Sequence, residues 1–196
     1  MPGPERALAS WLARGVRIGA WLLVAIVLAG VVGIPLYVFP AHDEPREVDV
    51  AYVIGPPTDA RMRVAEAMVA AGQADAVMVS VTEDPDVRRY HGRAAAVCDE
   101  GVLGPEVKVV CLMPDPFTTR GEARALADEA QAHGWRSAAV ITFTPHISRT
   151  RVIMERCFAG NIAYLDPGQS LPKRVWAYQY VYQTLAFVKV AAMPSC

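Results

Sequence analysis

The sequence predicts an α/β protein: three layers built on a mostly parallel sheet of about five strands, preceded by one N-terminal transmembrane helix. Three observations predict it. An uncharged stretch runs from Ile18 to Phe39. Short, β-branched apolar segments alternate with amphipathic ones through the remainder. Glycine or proline punctuates most of the junctions between them.

The first stretch explains the composition. Hydrophobic residues make up 53% of the 196 and charged residues 20%, and the apolar excess is concentrated between Ile18 and Phe39. A helix needs about 20 apolar residues to cross about 30 Å of hydrocarbon, and this run is long enough. Pro35 lies near its far end, where a kink or stop is tolerated. Trp21 and Tyr37 fall near its two ends, as expected of interfacial rings. Arg6, Arg14 and Arg17 precede it; Asp43, Glu44, Glu47 and Asp49 follow with a single Arg46. The positive side stays inside. Residues 1–17 therefore read as a cytoplasmic N-terminus, 18–39 as the anchor in the cell membrane, 40–47 as a linker and 48–196 as an extracytoplasmic domain. A cleaved signal peptide, the competing reading, needs a shorter run and a small-residue cleavage site, whereas this one ends Tyr-Val-Phe-Pro.

Val48 to Ile54 reads as the first strand and stops at Gly55-Pro56-Pro57. Asp59 is placed to cap a helix that carries Met62, Ala65, Met68 and Val69 on one face and ends at Gly72. Ala76 to Val81 reads as a second strand, Val87 to Cys98 as a weaker helix, and Val107 to Met113 as a third strand. Thr119 to His133 is the clearest helix, with Gly134 as its terminator. Ser137 to Phe143 is a fourth strand, Pro145 opens a helix reaching Phe158, Ile162 to Leu165 is a fifth strand, and Arg174 to Val190 a last helix. Near-continuous apolar strands at a spacing of about 30 residues suit right-handed crossovers under two helical layers, a Rossmann-like arrangement.

Four cysteines allow three pairings. Cys98 and Cys111 flank a short connection holding Gly101, Gly104 and Pro105, and Cys157 ends a helix while Cys196 ends the chain. Cys98–Cys111 with Cys157–Cys196 is the favoured set in an oxidising location; four reduced thiols would be usual in a cytosolic protein.

Ligands of parallel sheets bind beyond the carboxyl ends of the strands. That rule selects Gly55, Ser80, the segment 115–120 and the segment 142–149. His146 and Arg149 share one helical face in a first turn, beside unpaired backbone N–H groups and the positive end of the dipole, a setting for a phosphate or carboxylate. Arg149 suits two oxygens at once, and His146 is the candidate general acid or base. Thr119 and Glu122 fit a capping box, which accounts for them structurally, while Arg120 points toward the same cleft. A net charge of −1 gives no footprint for nucleic acid. The four histidines show no metal-ligand spacing, and there is no Walker lysine, nucleophile elbow or G-x-G-x-x-G.

In order, Gly55, Arg61, Ser80, Thr119, Glu122, His146 and Arg149 resemble the pattern of the ElyC/SanA/YdcF family over about Val48 to Tyr164. The resemblance implies a Rossmann-like fold and, for anchored members, a role in envelope integrity and peptidoglycan precursor metabolism. Some members have been suggested to bind S-adenosylmethionine. Here Pro56 and Pro57 replace the glycine cluster of the first loop, Val81 and Thr82 follow Ser80, and no cofactor is expected. The reading of function is a membrane-anchored envelope protein binding an anionic, phosphate-bearing cell-wall or lipid-linked precursor; the alternative is a non-catalytic, membrane-tethered interaction module. A reporter that is active only outside the cytoplasm is expected to be active when fused after Cys196, and activity confined to a cytoplasmic reporter would reverse the predicted orientation.

Overall fold

Buried parallel strands have no solvent face, so their residues are apolar on both sides. In Val48–Val53 (β1), Val50, Ala51, Tyr52 and Val53 are all fully buried. The computed structural model describes residues 4–85 and 90–196. It pairs β1 with Ala74–Ser80 (β2) and Ser137–Ile141 (β4), while Lys108–Leu112 (β3) and Asn161–Leu165 (β5) form the edges. The order is β3-β2-β1-β4-β5 and every pairing is parallel. This is the expected Rossmann-like sheet. Its winding reverses between β1 and β4, where the loops that follow the two strands diverge and leave a crevice.

Each face is covered by helices. Met62, Ala65 and Met68 of Asp59–Ala70 (α2) pack with Ala94 of Gly92–Ala95 (α3) against Ala51, Val53 and Val77. On the other face, Leu126 of Thr119–His133 (α4) and Ile147 and Met154 of Ile147–Cys157 (α5) pack against Tyr52, Met78 and Val140. Burying a side chain of this size contributes about 1.5–3 kcal/mol. Gly134 closes α4 with φ +73°, a conformation that glycine adopts without a Cβ penalty.

Several local expectations need correction. Thr58 rather than Asp59 occupies the N-cap of α2, and Asp59 lies in its first turn. The start of the helix expected over Val87 to Cys98 lies outside the described residues; the observed helix is Gly92–Ala95, continued by a π turn, Ala96–Glu100. Tyr37, expected near the end of the span, packs on protein. It is buried and meets Tyr180 edge to face at 5.2 Å, because the end of the apolar span folds back onto the domain. Within the linker, Asp43 accepts from the Tyr164 amide through Oδ2 and donates its own amide to the Tyr164 carbonyl, both at 2.8 Å.

The N-terminal helix is Pro4–Gly33 (α1), followed by a π turn, Ile34–Val38. The span Trp11–Val38 is long and apolar enough to cross a membrane. The last helix, Lys173–Ala192 (α6), lies across α5, and three arginines strap its end down. Arg120 and Arg124 donate to the carbonyls of Met193 and Cys196 at 2.6 Å, and Arg156 to that of Val190 at 3.1 Å.

Both favoured disulfides are present, Cys98–Cys111 with Cα atoms 5.9 Å apart and Cys157–Cys196 with 5.0 Å. The second closes 39 residues, and the chain-entropy model assigns such a loop about 4 kcal/mol. Replacing Cys157 and Cys196 together by serine is expected to lower stability by about 2–4 kcal/mol, read as a fall in the denaturation midpoint of the detergent-solubilised chain; an unchanged midpoint would show that the arginine strap alone fixes α6.

Candidate functional site

The crevice at the winding reversal is a cleft of about 580 Å³. Gly55, Thr119, Arg120, Glu122, His146 and Arg149 line it, as the sequence reading expects. Arg61 and Ser80 stand behind it. Arg61 Nη1 donates to the carbonyls of Ile54 and Pro56, each at 3.0 Å, and its guanidinium lies 5.0 Å from the centre of the Phe143 ring. It buttresses the first loop from below. Burial pulls its pKa down to about 10, against the pull of Glu122 and Asp166, so it stays charged at neutral pH.

Glu122 is not half of a capping box. Thr118 is the N-cap of α4: its backbone is extended and its hydroxyl accepts from the Gly121 amide at 3.3 Å. The cap therefore sits one residue earlier than the sequence suggests, and Glu122 is free to turn inward. Its Oε1 accepts the Gly55 amide at 2.6 Å, joining α4 to the end of β1. Burial raises the Glu122 pKa, while the Gly55 amide, the Ser80 hydroxyl, Arg61 and Arg149 pull it back down. Ser80 also shares a 2.7 Å hydrogen bond with the buried Tyr52 hydroxyl. Burial, and then Glu122, raise the Tyr52 pKa, so that hydroxyl keeps its proton.

Close packing of backbone builds the entrance. A Cβ on Gly121 would meet the Pro116 carbonyl oxygen at 1.9 Å, so only glycine lets the loop of residues 113–118 fold over the start of α4. Pro145 sits in a 3-10 turn, Thr144–His146, that leads into α5. The Thr144 hydroxyl donates to Asp166 Oδ2 at 2.6 Å.

The turn aims His146 inward, where it is only 5% exposed. Its Nδ1 lies 2.9 Å from Thr142 Oγ1 and its Nε2 lies 3.2 Å from Thr119 Oγ1. Arg149 Nη1 reaches the same Thr119 oxygen at 3.5 Å. Burial, followed by the charges of Arg149 and Arg61, holds the His146 pKa well below the ordinary histidine value, so the ring is neutral. Arg149 is half-buried. Its Nε donates to Gln183 Oε1 at 2.8 Å, and its guanidinium lies 5.7 Å from the centre of the Tyr182 ring.

Gln183, Tyr182, Tyr178 and Lys189, all on α6, form the wall that sequence reasoning missed, while Thr142 falls in the segment that the strand-end rule selects, without a role assigned to it. One signal was available for α6: a glutamine within a helix that carries no charge between Arg174 and Lys189 is a side chain that needs an internal partner if buried. Among the described residues no cluster of His, Cys, Asp or Glu is placed to hold a metal ion. No family model, curated protein or solved structure matches the chain.

A histidine that stays neutral when folded but takes up a proton when unfolded lowers stability once the pH drops below its unfolded value. His146 is such a group: its stabilising contribution is present above about pH 6.5 and is lost on acidification toward its depressed folded value. Between pH 7 and 5 the wild type is expected to lose up to about 1.4 kcal/mol per pH unit relative to His146→Gln, measured by denaturation at each pH. Glu122, with its raised pKa, works in the opposite sense, stabilising as the pH falls, but it is common to both proteins and cancels in the comparison.

Proposed function

We propose that this chain is a membrane-anchored protein of the cell envelope whose cleft binds an anionic, phosphate-bearing precursor. The observation that carries the reading is the charge of the cleft. Arg149, Arg120 and Lys189 line it, and the one carboxylate among its lining residues, Glu122, is turned onto the Gly55 amide. Arginine with its planar fork suits a phosphate, and a half-buried guanidinium is less screened than a surface one. The position at the carboxyl ends of β1 and β4 is where sheets of this winding hold ligands.

The geometry favours recognition over proton transfer. Both His146 nitrogens have threonine hydroxyls within hydrogen-bond reach, and the ring orients Thr119 against Arg149. The histidine is thus a positioning residue in this reading. The apolar N-terminal span and the two disulfides support an envelope location with the domain on the oxidising side. A role in cell-wall or lipid-linked precursor metabolism follows from the family resemblance together with this cleft.

Charge-assisted hydrogen bonds are worth about 1.5–3 kcal/mol each, so Arg149→Ala is expected to weaken binding of a polyprenyl phosphate to the detergent-solubilised chain by about ten-fold or more. Arg149→Lys is expected to recover only part of that loss, because a point charge cannot replace the fork. Titration calorimetry reads both, and equal affinities for all three proteins would remove the anion-binding reading.

A further inference from the structure

The helix α6 is built inside out. Tyr178, Val181, Tyr182, Leu185 and Val188 point to solvent and are between 44% and 66% exposed, while Gln183 on the opposite side is 1% exposed. The exposed residues recur three and four apart, so they form one continuous stripe. No charged residue interrupts α6 between Arg174 and Lys189. Water alone does not favour such a face, and contiguous exposed apolar stripes mark contact surfaces.

What covers it is indicated by what it adjoins. The Tyr180 hydroxyl donates to the carbonyl of Gly30, inside the apolar span Trp11–Val38. Gly33 makes this contact possible, since a Cβ there would lie 2.5 Å from the Tyr180 ring. Tyr37 then packs against Tyr180 and Phe187. The span holds 28 residues, or about 42 Å of helix at about 1.5 Å per residue, against about 30 Å of hydrocarbon. With Arg14 and Arg17 at the cytoplasmic headgroups, about 20 residues counted from Ile18 reach the opposite surface near Val38, so Gly33 and Tyr37, which α6 touches, lie in the last turns before it, with Gly30 a turn deeper. Tyrosines and Trp176 suit that depth, and Lys173 and Arg174 precede the stripe where anionic headgroups would lie.

We propose that the exposed stripe of α6 rests in the surface of the bilayer that α1 crosses, making α6 an interfacial helix. Tyr178 and Tyr182 belong both to this stripe and to the wall of the cleft. Ser148, one residue before Arg149, donates to the carbonyl of Leu36 at 2.8 Å, so the start of α5 also adjoins the exit of the anchor. The cleft accordingly opens at headgroup depth, where a phosphate can be read while its apolar tail stays in lipid; this last step rests on the phosphate reading above, and the seating of α6 does not.

The test is photocrosslinking in the full chain, reconstituted into vesicles of phosphatidylcholine and phosphatidylglycerol. A benzophenone amino acid replaces Val181 on the stripe or, as the control, the exposed Arg63 of α2 on the opposite face of the sheet. Lipid adducts, read by mass spectrometry, are expected at position 181 at ten times the control yield or more. Yields equal to the control overturn the proposal, as does an adduct at position 181 joining two copies of the chain in place of lipid. Both positions are exposed, and protection of the four cysteines from alkylation reports that each labelled chain has folded. Lipid adducts without phosphate binding would sink the ligand reading alone; phosphate binding that depends on Arg149 without lipid adducts would sink this one alone.

Discussion

The hydrogen bond from the Gly55 amide to Glu122, at 2.6 Å, is the constraint on which the cleft depends. A carboxylate buried this deeply loses much of its solvation and survives only where donors replace water. Gly55 and Ser80 supply them, with Arg61 and Arg149 adding charge at longer range. The bond fixes the start of α4 over the end of β1. With α4 held there, Thr119 comes within reach of His146, and His146 in turn is held by Thr142 at the end of β4. Both sides of the winding reversal are thereby linked through neutral or charge-compensated groups, and the crevice between them stays open.

The cationic side chains do different work according to depth. Arg61 is almost fully buried and spends its donors on backbone carbonyls of the first loop. Arg124 and Arg156 hold down the end of α6, and Arg120 does so from the wall of the cleft. Arg149 lies between these extremes, half-buried, with its Nε on Gln183 and its guanidinium at the cleft. Position, more than residue type, separates the arginine that holds the fold from the one suited to a ligand.

The sheet was legible because Val50, Tyr52, Val79 and Ile141 must be apolar on both faces, and no other element of this length imposes that demand. The strand-end rule also selected Gly55, Arg120, His146 and Arg149, which line one cleft; Glu122 entered through the capping pattern and the family resemblance. Their partners were harder to read. Two threonines in a row, Thr118 and Thr119, offer two capping registers, and only the backbone at Thr118 decides between them. Ser80 follows the same strand-end rule and Arg61 came from the family resemblance, yet both side chains turn beneath the loops. The α6 wall carries no spacing that ties it to α5: Gln183 is 34 residues from Arg149, and a helix apolar on most sides gives little indication of which side faces inward.

The doubled hydrogen bond between Asp43 and Tyr164, joined by Arg151 on the carbonyl of Ala41, ties the segment after the apolar span to the domain. A tether of that kind transmits orientation as well as attachment. On the proposed reading the domain cannot swivel or rise on a stalk, and its mouth meets the membrane at one height and one tilt. Capture of a ligand then becomes a search in two dimensions, governed by lateral diffusion within the leaflet, and any molecule that must be sampled far above that plane is out of reach.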